Sequence, residues 1–172
     1  MARGKKMKYS AQFENAFERT LGEEGGYVSD PDDPGGETKY GISKRSYPGE
    51  DIANLSMERA KEIYYRDFWT RLSLDLVRGD VAAEVFDTAV NMGRAAAVQI
   101  AQEAGNYLGA SLKVDGQMGY LTASALNRIA SPDLLKVLNG LQLARYVGLV
   151  RDDPQRQKYA RGWLKRIQVV PI

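Results

Sequence analysis

The chain has 172 residues and a mass of 19.1 kDa, with 44% hydrophobic and 27% charged side chains, 24 of them basic and 22 acidic. That is about one domain length, enough to bury a core, and the mixture excludes wholesale disorder and collagen-like repeats. Cysteine and histidine are absent, which excludes disulfides, thiolate and imidazole metal sites, cysteine nucleophiles and the Ser-His-Asp triad; any catalysis must run on carboxylates, lysine, tyrosine or hydroxyls.

Residues 1–8 carry Arg3, Lys5, Lys6 and Lys8 with no apolar stretch behind them, and read as a frayed basic arm rather than a secretory signal. No apolar run approaches the roughly 18 residues of a transmembrane helix, so the expectation is a protein made in the cytoplasm, without stable membrane insertion. Phe13, Ala16, Phe17, Thr20 and Leu21 fall on one helix face, with Ser10 placed to cap the start and Gly22 to end it. Residues 22–49 then take seven of the 17 glycines and three of the six prolines, so this stretch is mostly turns, with at most a short hairpin near Thr38 to Ile42.

Further along, Ser56 caps a segment in which Ala60, Ile63, Tyr64 and Phe68 share a face. Ala82, Val85, Phe86, Ala89 and Val90 repeat that pattern, Gly93 breaks it, and an alanine-rich helix follows to about Tyr107. Residues 113–122 are a turn around Asp115, Gly116 and Gly119, after which Thr122 is placed to cap a short helix. Ser131 and Pro132 open a leucine-rich helix through Leu134, Leu135, Leu138 and Leu141, and Pro154 opens the last, bearing Tyr159, Trp163 and Ile167. The sum is a mainly α domain with one elaborate loop.

That loop admits three readings. As a calcium loop of the EF-hand type, Asp30, Asp32 and Gly35 stand in the first, third and sixth positions. The fifth is Pro34 and the twelfth Gly41, neither of which supplies the needed side-chain oxygen, so no metal is expected. As turn punctuation, its Asp-Pro and Gly-Gly pairs need no chemistry at all. As a catalytic site, it has Glu24 at the end of an amphipathic helix, where an apolar wall and the negative helix end disfavour ionisation and suit a general acid. Asp33 and Asp30, in a polar loop, stay ionised to orient water or stabilise an oxocarbenium-like transition state, the two-carboxylate arrangement of glycoside hydrolysis.

The series Glu24-Gly25-Gly26-Tyr27, Asp30-Pro31, Asp33-Pro34-Gly35-Gly36, Thr38 and Gly41-Ile42 resembles the signature of glycoside hydrolase family 108, bacterial and phage lysozymes often described as endolysins. Downstream, residues 87–93, Gln99 and Gln102, and the run Asp115-Gly116-Gln117-Met118-Gly119-Tyr120-Leu121-Thr122 resemble the predicted peptidoglycan-binding module that follows the catalytic motif in that family. The resemblance implies a lysozyme-like helical domain over 1–172, with 9–78 carrying the catalytic motif and 79–172 a helical peptidoglycan-binding-like part packed on it. It implies Glu24 as the catalytic acid. Spacing similar to that of phage-type lysozymes adds Asp33 as its partner and Thr38 as holder of the attacking water, with Asp30 and Asp32 as alternatives to Asp33.

Tyr27 and Tyr40 flank the acidic loop and suit stacking on sugar faces, or a packing lid. Of the pair on the next helix, Phe68 is expected in the core and Trp69 either lining a subsite or covering one. Asn91, polar amid apolar helical neighbours, suits an N-acetyl group or an orphan helix carbonyl. The leading expectation is a cofactor-free, monomeric muramidase cleaving the β-1,4 bond between N-acetylmuramic acid and N-acetylglucosamine, with peptidoglycan as partner. A separate pore-forming protein would release it from a bacterial host cytoplasm. Alternatives are a lytic transglycosylase, for which a lone glutamate suffices, and a non-catalytic peptidoglycan-binding protein. Residues 136–172 carry eight bases against Asp152 and Asp153, but no motif for base recognition accompanies them, so nucleic acid is not expected as a partner.

Overall fold

A computed structural model describes residues 9–21, 26–29 and 36–167. Ser10 and the apolar stripe behind it build α1 (Ala11–Leu21): Ser10 Oγ accepts the Phe13 N–H at 3.3 Å, and the five residues of the expected face are the buried ones. A two-residue turn separates β1 (Thr38–Lys39) from β2 (Ile42–Ser43), paired antiparallel with Thr38 opposite Ser43 and Lys39 opposite Ile42. Ser56 caps α2 (Met57–Tyr64) through the Arg59 N–H. The helix does not stop there but widens into a π-helical turn over Tyr65–Thr70.

A 3₁₀ turn at Leu74–Leu76 leads into α3 (Gly79–Met92), and Gly93, at φ +88°, separates it from α4 (Arg94–Tyr107). Then come α5 (Tyr120–Arg128), the long α6 (Ser131–Asp152), a 3₁₀ turn at Pro154–Arg156 and α7 (Gln157–Arg166). Three starts differ from expectation. Thr122 lies inside the first turn of α5 rather than capping it, Ala130 rather than Ser131 precedes α6, and Pro154 opens the 3₁₀ turn, whose cap is Asp153 accepting the Gln155 N–H at 3.1 Å. Among the described residues the fold is mainly α and lysozyme-like, with one two-stranded sheet.

The core forms around α3. Every residue from Val81 to Ala89 is buried, as a helix apolar on all sides requires. Phe13, Trp69 and Phe86 meet edge to face at centroid distances of 5.5 to 5.9 Å, and Tyr64 joins them through Phe86 at 6.1 Å. Two acids interrupt this apolar run, each with a cation: Glu84 accepts from Arg19 at 2.8 Å and Asp87 from Arg166 at 2.9 Å. Without those partners, burial of either charge would be prohibitive.

Candidate functional site

Glu24, Asp30, Asp32 and Asp33 lie outside the described residues, as does Gly22. The structure describes the chain on both sides of them. Leu21, the last residue of α1, lies beside the hairpin turn: a Cβ built on Gly41 would sit 3.7 Å from Leu21 Cδ2. Further along, Val28 and Thr38 exchange two backbone hydrogen bonds of 2.8 Å, adding one bridge to the hairpin. Tyr27, 47% exposed, donates from its hydroxyl to Glu37 Oε2 at 3.0 Å, and the Thr38 hydroxyl donates to the Gly36 carbonyl at 3.4 Å.

The hairpin turn itself is Tyr40-Gly41. Both residues have positive φ, +51° and +73°, as a two-residue turn matched to strand twist demands. The Tyr64 hydroxyl donates to the Tyr40 carbonyl at 3.0 Å and ties this strained turn to α2. Burial raises the Tyr64 phenol well above its ordinary range, which keeps it a donor. Tyr27, Thr38 and Tyr40 are therefore gathered on one small β layer.

A groove runs from this layer across the π-helical turn. Its first part, about 470 Å³, lies between Gly41, Ile42 and Tyr47 on one side and Phe68 and Arg94 on the other. Its second part, about 700 Å³, shares Phe68, Arg71, Val90 and Arg94 and extends to Gly116 and Met118. Asp67 sits in its wall, accepting two hydrogen bonds from the Arg66 guanidinium at 2.8 and 2.6 Å and one from the Tyr47 hydroxyl at 3.2 Å. The Arg66 guanidinium holds this carboxyl below its usual range, whereas burial and the facing Asp67 charge push the Tyr47 phenol up to about 12. The groove thus offers an ionised carboxylate, to which the Tyr47 phenol already donates, an aromatic face and two arginines.

Phe68 packs against the core as expected but is only half-buried and also lines this groove, whereas Trp69, expected to line or cover a subsite, takes the fully buried position. Trp69 is 0% exposed. In a continued α-helix the residue four after Tyr64 would face the core; in the wider π turn it is the residue five after. Trp69 therefore takes the buried position and Phe68 swings to the groove, where the Arg94 guanidinium lies 5.8 Å from its ring. Asn91 is exposed rather than in the core, and its amide turns back to the Asp87 carbonyl at 2.7 Å. Asp67, Arg71 and Arg94 were not among the expected site residues. No spacing marks them, because their neighbours come from four separate elements.

Residues 17–93 match the family model described as Glycosyl hydrolase 108, and residues 96–168 match the one described as Predicted Peptidoglycan domain. The chain thus resembles a glycosyl hydrolase 108 segment followed by a predicted peptidoglycan domain. A solved structure titled "Structure of Brucella abortus SagA" is 26% identical and superposes with a TM-score of 0.74, covering 90% of this chain and 88% of that one. No curated protein sequence matches the chain significantly. The pairing supports a peptidoglycan-directed glycoside hydrolase.

The stretch matching glycosyl hydrolase 108 supplies the β layer, the π turn and α3; the stretch matching the predicted peptidoglycan domain supplies Gly116 and Met118 to the far end of the groove. The Asp115-Gly116 motif of that second stretch is held from within. Gln102, 1% exposed, accepts the backbone N–H groups of Asp115 and Gly116 through Oε1, both at 3.0 Å, and donates through Nε2 to Asp115 Oδ1 at 2.9 Å. Gly116 has φ +73°, and a Cβ there would lie 3.1 Å from the Ala95 carbonyl, so only glycine lets this turn close on α4.

Proposed function

We propose that the protein is a muramidase that hydrolyses the β-1,4 bond between N-acetylmuramic acid and N-acetylglucosamine, with Glu24 as general acid. The observation that carries this reading is the glycosyl hydrolase 108 match over residues 17–93, which contains the whole Glu24-to-Ile42 motif. Glu24 protonates the glycosidic oxygen as the bond to the anomeric carbon breaks. A carboxylate from Asp33, or in its place Asp30 or Asp32, stabilises the developing positive charge or takes the proton from the incoming water. The Thr38 hydroxyl, which donates a long hydrogen bond to the Gly36 carbonyl, has acceptor lone pairs suited to that water. The groove beside the hairpin offers the sugar chain Phe68 as a stacking face and the Tyr47 oxygen as an acceptor, with Tyr27 and Tyr40 on the adjoining β layer.

The test is mass spectrometry of soluble fragments from purified peptidoglycan digested with wild type and with Glu24→Gln. Wild type is expected to release fragments with reducing muramic acid ends, and the variant none. Anhydro ends would reassign the chain to lytic transglycosylases, in which the muramic acid hydroxyl replaces water. No fragments from several wall types would leave a peptidoglycan-binding protein.

A further inference from the structure

A second groove, of about 590 Å³, lies apart from the first between the last turns of α1, the middle of α3 and α7. Four basic side chains line it (Arg19, Lys158, Lys165 and Arg166) against the single carboxylate of Asp87. The two arginines already serve buried acids, Arg19 on Glu84 and Arg166 on Asp87. Among the described residues the two lysines have no ion-pair partner, and Lys158 Nζ lies 5.0 Å from the Tyr159 ring centroid. One wall is Trp163, half-buried and stacked on Tyr146 at 4.9 Å with an interplanar angle of 11°. The ring is therefore held rigid before any ligand arrives.

We infer that this groove binds the carboxylate-bearing stem peptide of peptidoglycan, an inference that rests on peptidoglycan being the substrate of the adjoining site. The chemistry fits a short peptide better than a sugar. Arginine-neutralised acids at the base leave the net positive charge on two flexible lysines, which suit carboxylates projecting from a chain, while the fixed indole suits small apolar side chains between them. Position agrees with this. Arg19 and Thr20 face the groove from the last turn of α1, and Leu21, next in sequence, lies beside the hairpin. The end of α1 thus separates the two grooves, and a glycan lying in the first can send the peptide of its muramic acid toward the second.

The experiment compares wild type with Lys158→Glu/Lys165→Glu, each in the Glu24→Gln background so that binding is read without turnover. Peptidoglycan freed of phosphate-containing wall polymers is offered with its stem peptides and after an amidase has removed them. Wild type is expected to prefer the peptide-bearing form, and the lysine variant to lose at least ~10-fold of that preference, which should also shrink as salt rises. Equal losses on both substrates, or none, would overturn the assignment. So would a lysine dependence seen only on walls that keep their phosphate polymers. A soluble disaccharide-peptide should change the tryptophan fluorescence, and Trp163→Phe should abolish the change because the other indole, Trp69, is in the core; a response that persists would count against the groove. If wild type binds selectively yet releases no fragments from any wall, the muramidase reading fails and the groove stands. If it cleaves but ignores the lysine reversals, the groove fails alone.

Discussion

At Gly41 a single methyl group is enough to force the hairpin away from α2. Its φ of +73° disfavours any side chain, and a Cβ would stand 2.6 Å from the Tyr64 hydroxyl. Gly41→Ala is therefore expected to destabilise the protein by more than the ~1–2 kcal/mol of left-handed strain alone. Tyr64→Phe removes the clashing oxygen together with its bond to the Tyr40 carbonyl, so the double variant should lose less than the sum of the single losses. Urea unfolding of the four proteins measures this, and strict additivity would show that the two residues do not touch. A glycine at a turn of alternating composition was readable from the chain; that its neighbour is a tyrosine 24 positions from Tyr40 was not. The acids meant to act with the hairpin, Glu24 and the aspartates of 30–33, rest on motif order alone, since spacing names candidates without orienting their oxygens.

Among the elements, α1, α3 and α4 were legible because their apolar residues repeat at helical spacing and serine or glycine marks their ends. The π turn was not. The run from Ala60 to Phe68 satisfies the ordinary α period, and nothing local says that the helix will widen; the choice is made by the core, where the larger indole of Trp69 fills the space between Phe13 and Phe86. This assignment has a direct consequence for two adjacent aromatics. Trp69→Ala should cost about 3–5 kcal/mol of stability. Phe68→Ala should cost clearly less, yet weaken peptidoglycan binding by removing the groove's aromatic face. Chemical denaturation and a wall-sedimentation assay on both variants would separate the roles, and the opposite ranking would mean that the helix does not widen here. The Asp115-Gly116 run shows a different limit: the sequence marks it as a motif, and the structure shows Gln102 holding its backbone, so a conspicuous motif can serve the turn itself.

Across the whole molecule, the buried acids of α3 give stability a pH dependence. Burial pushes Glu84 from an ordinary 4.5 up to about 7, only partly offset by Arg19, and raises Asp87 in the same direction. Between pH 4.5 and 7 the folded protein keeps a proton on Glu84 that the unfolded chain has released, so stability falls as pH rises through that window. Asp67 and Glu50, held low by arginines, titrate below it. Glu84→Gln should flatten the dependence by about one proton, read as the pH profile of the unfolding free energy; an unchanged slope would place the titration elsewhere. Both acids were visible in the sequence as charges inside an otherwise apolar helix, but their partners, Arg19 and Arg166, come from distant parts of the chain.

The Asp87–Arg166 pair has a consequence for anyone recombining such enzymes. Asp87 belongs to the stretch matching glycosyl hydrolase 108 and Arg166 to the stretch matching the peptidoglycan domain. A chimera joined at Gly93, the natural seam between the two matches, inherits one half of this pair from each parent. If the donor of the second half lacks a cation at the place of Arg166, the recipient's carboxylate is left buried beside Glu84 without its ion-pair partner, and with only the more distant Arg19 and neutral donors to offset its charge. Swapping halves then requires matching this charge as well as the packing of α3 on α4 and α6, and co-transferring Arg166, or replacing Asp87 by asparagine, is the smallest edit that removes the unpaired charge.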